Sequence, residues 1–121
     1  MARDRKKAEE LGNLGETLGV WFLMLKGYTI ISRQYRTPVG EVDIIARKGS
    51  ALVFIEVKAR VDADTAAHAI SPRQQSRIVR AADAFLQNSA NLGHLDIRFD
   101  ALLIIPYRWP VHIVDAWRPG D

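Results

Sequence analysis

Cysteine is missing from all 121 residues, so neither a disulfide nor a thiolate zinc site can form. No apolar run approaches the ~20 residues that a membrane-spanning helix needs. No secretory leader is recognisable either, so a cytoplasmic protein with no membrane partner is the expectation. Internal repeats and low-complexity tracts are lacking as well. The length predicts a single domain over residues 1–121, large enough to bury a true core. The charge balance, 17 basic against 14 acidic residues, leaves a mild excess of +3. That excess suits an anionic partner without requiring one.

The stretch from Gly40 to Arg60 organises the rest. Two runs of β-forming residues flank Gly49-Ser50, a pair suited to a two-residue type II′ turn with glycine first. Lys48 then faces Ala51, and paired residue numbers sum to 99. Asp43 falls opposite Glu56, and Glu41 opposite Lys58, all on one face. Opposed carboxylates repel, which a strand pair built only for stability would avoid. A divalent cation removes the repulsion, and Mg²⁺ favours one or two carboxylates completed by water and substrate phosphate. An ammonium two residues past the second carboxylate can hold an attacking water or a developing negative charge. The plain alternative is a surface ladder of weak salt bridges. Against it, Ala51, Val53, Ile55, Val57 and Ala59 are all apolar, and Leu52 and Phe54 line half of the other face. Such a strand is mostly buried, so its charged end, Glu56, Lys58 and Arg60, lies at the rim of a core where charges need partners.

The remaining elements follow from periodicity. Met1–Lys7 reads as a frayed basic lead-in, and a helix with apolar spacing runs from Ala8 through Leu14, Leu18, Trp21, Phe22 and Leu25 to a Gly27 stop. Gly12 and Gly19 share a face with Glu16, so either the helix closes in around an acid that joins the site, or Glu16 faces solvent beside glycines that only aid packing. Tyr28–Arg36 reads as a first strand, and Arg33 and Arg36 near its end are candidates for phosphate contact. Residues 61–70 read as a mobile loop carrying a lone His68, which is assigned no catalytic role. Ser71, Pro72 and Gln74 mark a helix start with a capping box, and that helix runs to about Asn88. On it Arg73, Arg77 and Arg80 form a basic stripe suited to a phosphate backbone. Asp96–Ile105 and Val111–Trp117 complete the strands. Arg98 and Asp100 are expected to pair, and His112 to be half-buried edge packing rather than a ligand. The order α-β-β-β-α-β-β predicts an α/β sandwich around a mixed central sheet.

The spacing D-x12-E-x-K formed by Asp43, Glu56 and Lys58 resembles the PD-(D/E)xK nuclease superfamily of restriction enzymes and Holliday-junction resolvases. More closely, Gly15-Glu16, Gly40-Glu41-Val42-Asp43, Val53–Arg60 and Arg98-Phe99-Asp100 resemble the bacterial YraN-type family. Val42 stands where the superfamily name has proline, and Gln74 where the family often has lysine. The resemblance implies a restriction-endonuclease-like three-layer sandwich and a Mg²⁺- or Mn²⁺-dependent endonuclease acting on DNA, with branched or damaged forms among its substrates. It implies that Asp43 and Glu56 hold the metal, Lys58 polarises the water, Glu16 completes the shell and Gln75 assists. Arg60, Arg73, Arg77 and Arg80 would contact DNA. A homodimer is left open. The rival reading is a nucleic-acid-binding module that keeps the fold without hydrolysis. A purely structural protein is the third, and it leaves the opposed carboxylates unexplained.

Overall fold

The computed structural model describes residues 2–61 and 70–119. The expected loop at 61–70 and its His68 therefore lie, apart from the two end residues, outside the described residues. Helix α1 spans Ala2–Leu25, followed by strands β1 (Thr29–Thr37), β2 (Gly40–Lys48) and β3 (Ala51–Ala59). Helix α2 (Pro72–Gln87) and a 3-10 turn (Ala90–Leu92) lead into β4 (Asp96–Ile104) and β5 (Val111–Ile113). The strands form one sheet in the order β1-β2-β3-β4-β5. β3 and β4 run parallel and the other pairs antiparallel. A parallel neighbour demands a crossover, and α2 supplies it. The result is the expected α/β sandwich with a mixed sheet.

Two cores sandwich that sheet. Beneath α1, Val20 and Leu23 pack on Ile44, Ala46, Val53, Ile55 and Leu102. On the opposite face, Ile78, Ala82 and Phe85 of α2 pack on Ile45, Leu52, Phe54 and Phe99. β3 contributes side chains to both, which is why its sequence is apolar at odd and even positions alike. Ser71 caps α2 by accepting from the Gln74 amide at 3.2 Å, and Pro72 occupies the first turn. No helix among the described residues is long and apolar enough to cross a membrane.

Three expectations need correction. α1 begins at Ala2, so residues 2–7 are helical rather than frayed. Leu14, Leu18, Trp21 and Leu25 do not form its buried stripe; they are 57, 47, 69 and 81% exposed. The sheet-facing line is Gly15 and Gly19 instead: a Cβ at Gly15 would meet Ala59 Cβ at 2.8 Å, and one at Gly19 would meet Leu102 Cδ2 at 2.8 Å. The glycines thus bring the helix backbone onto the sheet, while Gly12 has open space beside it. β5 stops at Ile113 rather than Trp117, because Asp115 adopts φ +57° and turns its amide onto Asp100 at 2.9 Å.

The layers also approach closely at Gly40, where an added Cβ would stand 1.9 Å from the Arg77 carbonyl oxygen. Backbone cannot yield there without lifting α2 off β2. Gly40→Ala is therefore expected to cost about 1–3 kcal/mol, read as a lower urea midpoint. An unchanged midpoint would mean that α2 can move away freely.

Candidate active site

The hairpin turn sets the site's geometry. Gly49 takes φ +59°, as the first position of a type II′ turn requires. Lys48 pairs with Ala51, and the register continues through Ala46–Val53 to Ile44–Ile55. There the β2–β3 ladder ends, although β1–β2 pairing persists to Thr37–Gly40 and β3–β4 pairing to Ala59–Ile104. The sheet therefore forks just where Asp43 and Glu56 would have paired. A kink in β2 marks the spot: Val42 and Ile44, two residues apart, lie in opposite cores, so alternation breaks at Asp43. Next door in β1, Gln34 has φ +52°, a conformation uncommon for a residue with a side chain. Strain of this kind collects at functional sites.

In the fork Asp43 Oδ2 accepts from the Val57 amide at 2.9 Å, replacing the missing strand partner. The cleft beside it has a volume of about 460 Å³ and is lined by Glu16, Asp43, Glu56, Lys58 and Arg60 among others. Because the sheet is open here, side chains from both helical layers reach in. From α1 comes Glu16, only 7% exposed, whose carboxylate accepts from Gln34 and from Arg33 Nε at 3.3 Å. From α2 comes Gln74, whose amide donates to Glu56 Oε2 at 2.6 Å.

Glu56 is the unusual group. Burial first, then the hydrogen bond with Asp43 and the negative charge of Asp43, push its carboxyl up to about 9. Lys58 and the Gln74 amide pull the other way but do not prevail. The Glu56 carboxyl therefore favours its protonated form at neutral pH. A divalent cation would take the place of that proton, and an all-oxygen donor set of two carboxylates suits Mg²⁺ or Mn²⁺. Among the described residues, no cluster of three or more His, Cys, Asp or Glu side chains is close enough to make a closed metal cage. Any ion held here would rely on backbone, water or substrate oxygens for the rest of its shell.

The structure brings together Glu16, Asp43, Glu56, Lys58 and Arg60 as the sequence suggested. It does not bring Gln75. That side chain turns to the Ile70 carbonyl at 3.3 Å, and the glutamine that enters the site is Gln74. The helix phase explains the exchange. Gln74 lies one turn before Ile78 on the sheet-facing stripe of Ile78, Ala82 and Phe85, whereas Gln75 lies one turn before the flanking Val79. The same apolar stripe could have revealed this from sequence. Gln74 accordingly makes only half of a capping box, its side chain being committed to Glu56.

Glu41 lines the cleft but pairs with Arg36 at 3.5 Å rather than with Lys58. Arg33 is taken up by Glu16, so both candidate phosphate ligands on β1 have carboxylate partners. Arg60 lies at the cleft with Nη1 on the Ala59 carbonyl at 2.9 Å. Arg73, Arg77 and Arg80 are exposed along α2, outside the cleft lining. His112 is half-buried on the edge strand β5, as expected, but sequence reasoning missed its partners: the side chain, 2% exposed, has Nε2 on Asp100 Oδ2 at 2.7 Å and Nδ1 at 2.6 Å from Lys26 Nζ. A single histidine in a three-residue strand gives no periodic signal of its partners.

Fold and site together define a class: a three-layer α/β sandwich whose mixed sheet forks around an acidic pair, with a lysine two residues beyond. The sequence pattern of the uncharacterised protein family UPF0102 matches residues 15–104. The chain belongs to that family. It is 51% identical over 112 residues to a UPF0102 protein of Parvibaculum lavamentivorans, covering 93% of this chain and 84% of that one. It is 46% identical over 121 residues to one from Maricaulis maris, covering 100% and 95%. A third, from Mesorhizobium japonicum, is 47% identical over 113 residues, covering 93% and 90%.

Proposed function

We propose that this protein is a divalent-metal-dependent phosphodiesterase acting on DNA. The observation that carries the reading is the convergence of Asp43 and Glu56 at the open end of the β2–β3 ladder, with Lys58 beside them in the same cleft. Asp43 and Glu56 would hold Mg²⁺ or Mn²⁺. A strand residue's N–H and C=O leave the same edge, so the Val57 carbonyl also faces the fork and offers a further oxygen. When bound, the ion supplies a Lewis acid for the phosphate and lowers the pKa of water. Lys58 orients the attacking water and offsets charge on the phosphoryl oxygens. Gln74 fixes the Glu56 carboxyl, and Glu16, clamped by Arg33 and Gln34, completes the polar wall. Arg60, Arg73, Arg77 and Arg80 carry the flanking phosphates.

The test is cleavage of linear, nicked and branched DNA during Mg²⁺ and Mn²⁺ titration. Asp43→Asn and Glu56→Gln are expected to weaken metal uptake and abolish cleavage. Lys58→Ala is expected to keep the metal yet slow cleavage by roughly 100-fold. No metal uptake by the wild type, even with DNA present, would replace this reading with that of a non-catalytic nucleic-acid-binding module.

Binding has its own signature. Phosphate contacts release counterions, so affinity should fall steeply with salt and depend little on sequence. Changing Arg73 and Arg77 together to alanine is expected to weaken binding and lower the log–log salt slope by about two. An unchanged slope would remove α2 from the DNA-facing surface.

A further inference from the structure

We propose that the outer flank of α1 and the 106–110 turn form the interface of a symmetric homodimer. α1 has three differently used sides. Gly15 and Gly19 press on the sheet, Gly12 and Glu16 border the acidic cleft, and Leu14, Leu18, Trp21 and Leu25 face outward beside Tyr107 and Trp109. These last six residues are 57, 47, 69, 81, 105 and 80% exposed, and all line one continuous groove of about 410 Å³. Among the described residues, Arg108 is the one charged residue in its lining.

Area identifies the occupant. A fully accessible aromatic side chain presents about 150–250 Å² and a leucine somewhat less, so the three aromatics and three leucines together expose on the order of 900 Å² of mainly apolar surface. The largest apolar patch of a typical monomer is about 300–600 Å². A standard stable interface buries about 800 Å² per partner. The patch is thus larger than a solitary chain ordinarily leaves in water and matches what one protomer contributes to a dimer. Its make-up, rich in tryptophan and tyrosine and poor in charge, is that of an interface centre.

Its shape fits a second copy of the same chain. A two-fold interface uses one patch on both subunits, so the patch must contain both a recess and the groups that fill it. Here the groove between α1 and the turn is the recess. Tyr107, held at φ +63° with its ring wholly in solvent, and Trp109 are projecting groups beside it. The acidic cleft is on the other flank of α1, so a dimer formed this way leaves both clefts open.

Sedimentation equilibrium on the full chain tests the proposal independently of any catalytic activity. The wild type should be dimeric at micromolar concentration. Trp21→Glu and Trp109→Glu, both at exposed positions, should each raise the dimer Kd by roughly 30-fold or more while leaving the circular dichroism unchanged. Ile97→Glu, at an exposed apolar position elsewhere on the surface, should remain dimeric. A wild type that stays monomeric to about 100 µM overturns the proposal, and so does a dimer that Ile97→Glu breaks while Trp21→Glu does not. Vesicles of neutral lipid serve as a second probe: a monomer that binds them through Trp21 and Trp109 would assign the face to a lipid surface instead.

Discussion

Replacing Asp100 by alanine is expected to destabilise the protein by about 3–5 kcal/mol, lowering Tm by about 10–20 °C. Asp100 is fully buried midway along β4 and accepts from four donors. Arg98 Nε and Nη2 reach its two oxygens at 2.9 Å each, His112 Nε2 reaches Oδ2 at 2.7 Å, and the Asp115 amide reaches Oδ1 at 2.9 Å. Burial works to raise the Asp100 carboxyl, but the bonds from His112, Arg98 and the Asp115 amide outweigh it and hold the group below the usual aspartate range. Alanine would leave the buried His112 and the guanidinium of Arg98 without their acceptor. It would also free the turn at Asp115 that seats Trp117 on Phe99, with ring centroids 5.7 Å apart. Asparagine is no rescue, since its amide would face two N–H donors where Oδ2 now accepts. The same network tells which His112 tautomer is present: Nε2–H is given to Asp100, leaving Nδ1 to accept from Lys26. Thermal unfolding of wild type, Asp100→Ala, His112→Ala and the double variant checks this. Strictly additive losses would show that Asp100 and His112 are not coupled.

The contrast between that network and the hairpin explains what sequence could and could not convey. The hairpin was legible because Gly49-Ser50 pins a register, which holds from Lys48–Ala51 as far as Ile44–Ile55 and stops short of Asp43–Glu56. The start of α2 was legible because Ser71 and Pro72 are local signals that need no tertiary context. The fork was not, since it depends on where the β2–β3 ladder stops, while β2 stays paired with β1 and β3 with β4, and no local pattern marks that point. Gln34 at φ +52° carries no marker, because glutamine is not a residue that seeks the left-handed region. The apolar spacing of α1 misled for a different reason. Periodicity reports an apolar stripe but not what covers it, and here the stripe at Leu14, Leu18 and Trp21 faces outward while glycines face the sheet. Asp100 and Arg98 were readable as a pair from their two-residue spacing. His112 and Lys26 join them from 12 and 74 positions away along the chain, a distance no local pattern bridges.

Stability should fall as pH rises from about 4.5 towards 9, and Glu56 should be the cause. Folded, its carboxyl holds a proton up to about 9, whereas the unfolded chain releases it near the ordinary value of 4.5. Between those limits the native state binds more protons than the unfolded one, so the free energy of unfolding decreases with pH. The contribution is fully present below 4.5 and is lost as pH passes through about 9. Every pH unit that separates the two values is worth about 1.4 kcal/mol, so the total loss is on the order of several kcal/mol. Asp100, held low by its donors, acts in the acid range below its ordinary 3.8 and leaves this window clear. Glu56→Gln cannot ionise, so its stability should be nearly level over the same range and exceed that of the wild type at about pH 8. Asp43→Asn should flatten the slope only in part, because it removes the neighbouring charge but not the burial. A divalent ion would replace the Glu56 proton, so saturating Mg²⁺ should restore wild-type stability at about pH 8 and do little for Glu56→Gln. Calorimetry in buffers of different ionisation enthalpy should show close to one proton released per ion bound near neutral pH. Parallel pH–stability curves for wild type and Glu56→Gln would refute the assignment, because nothing else in the cleft distinguishes the two proteins.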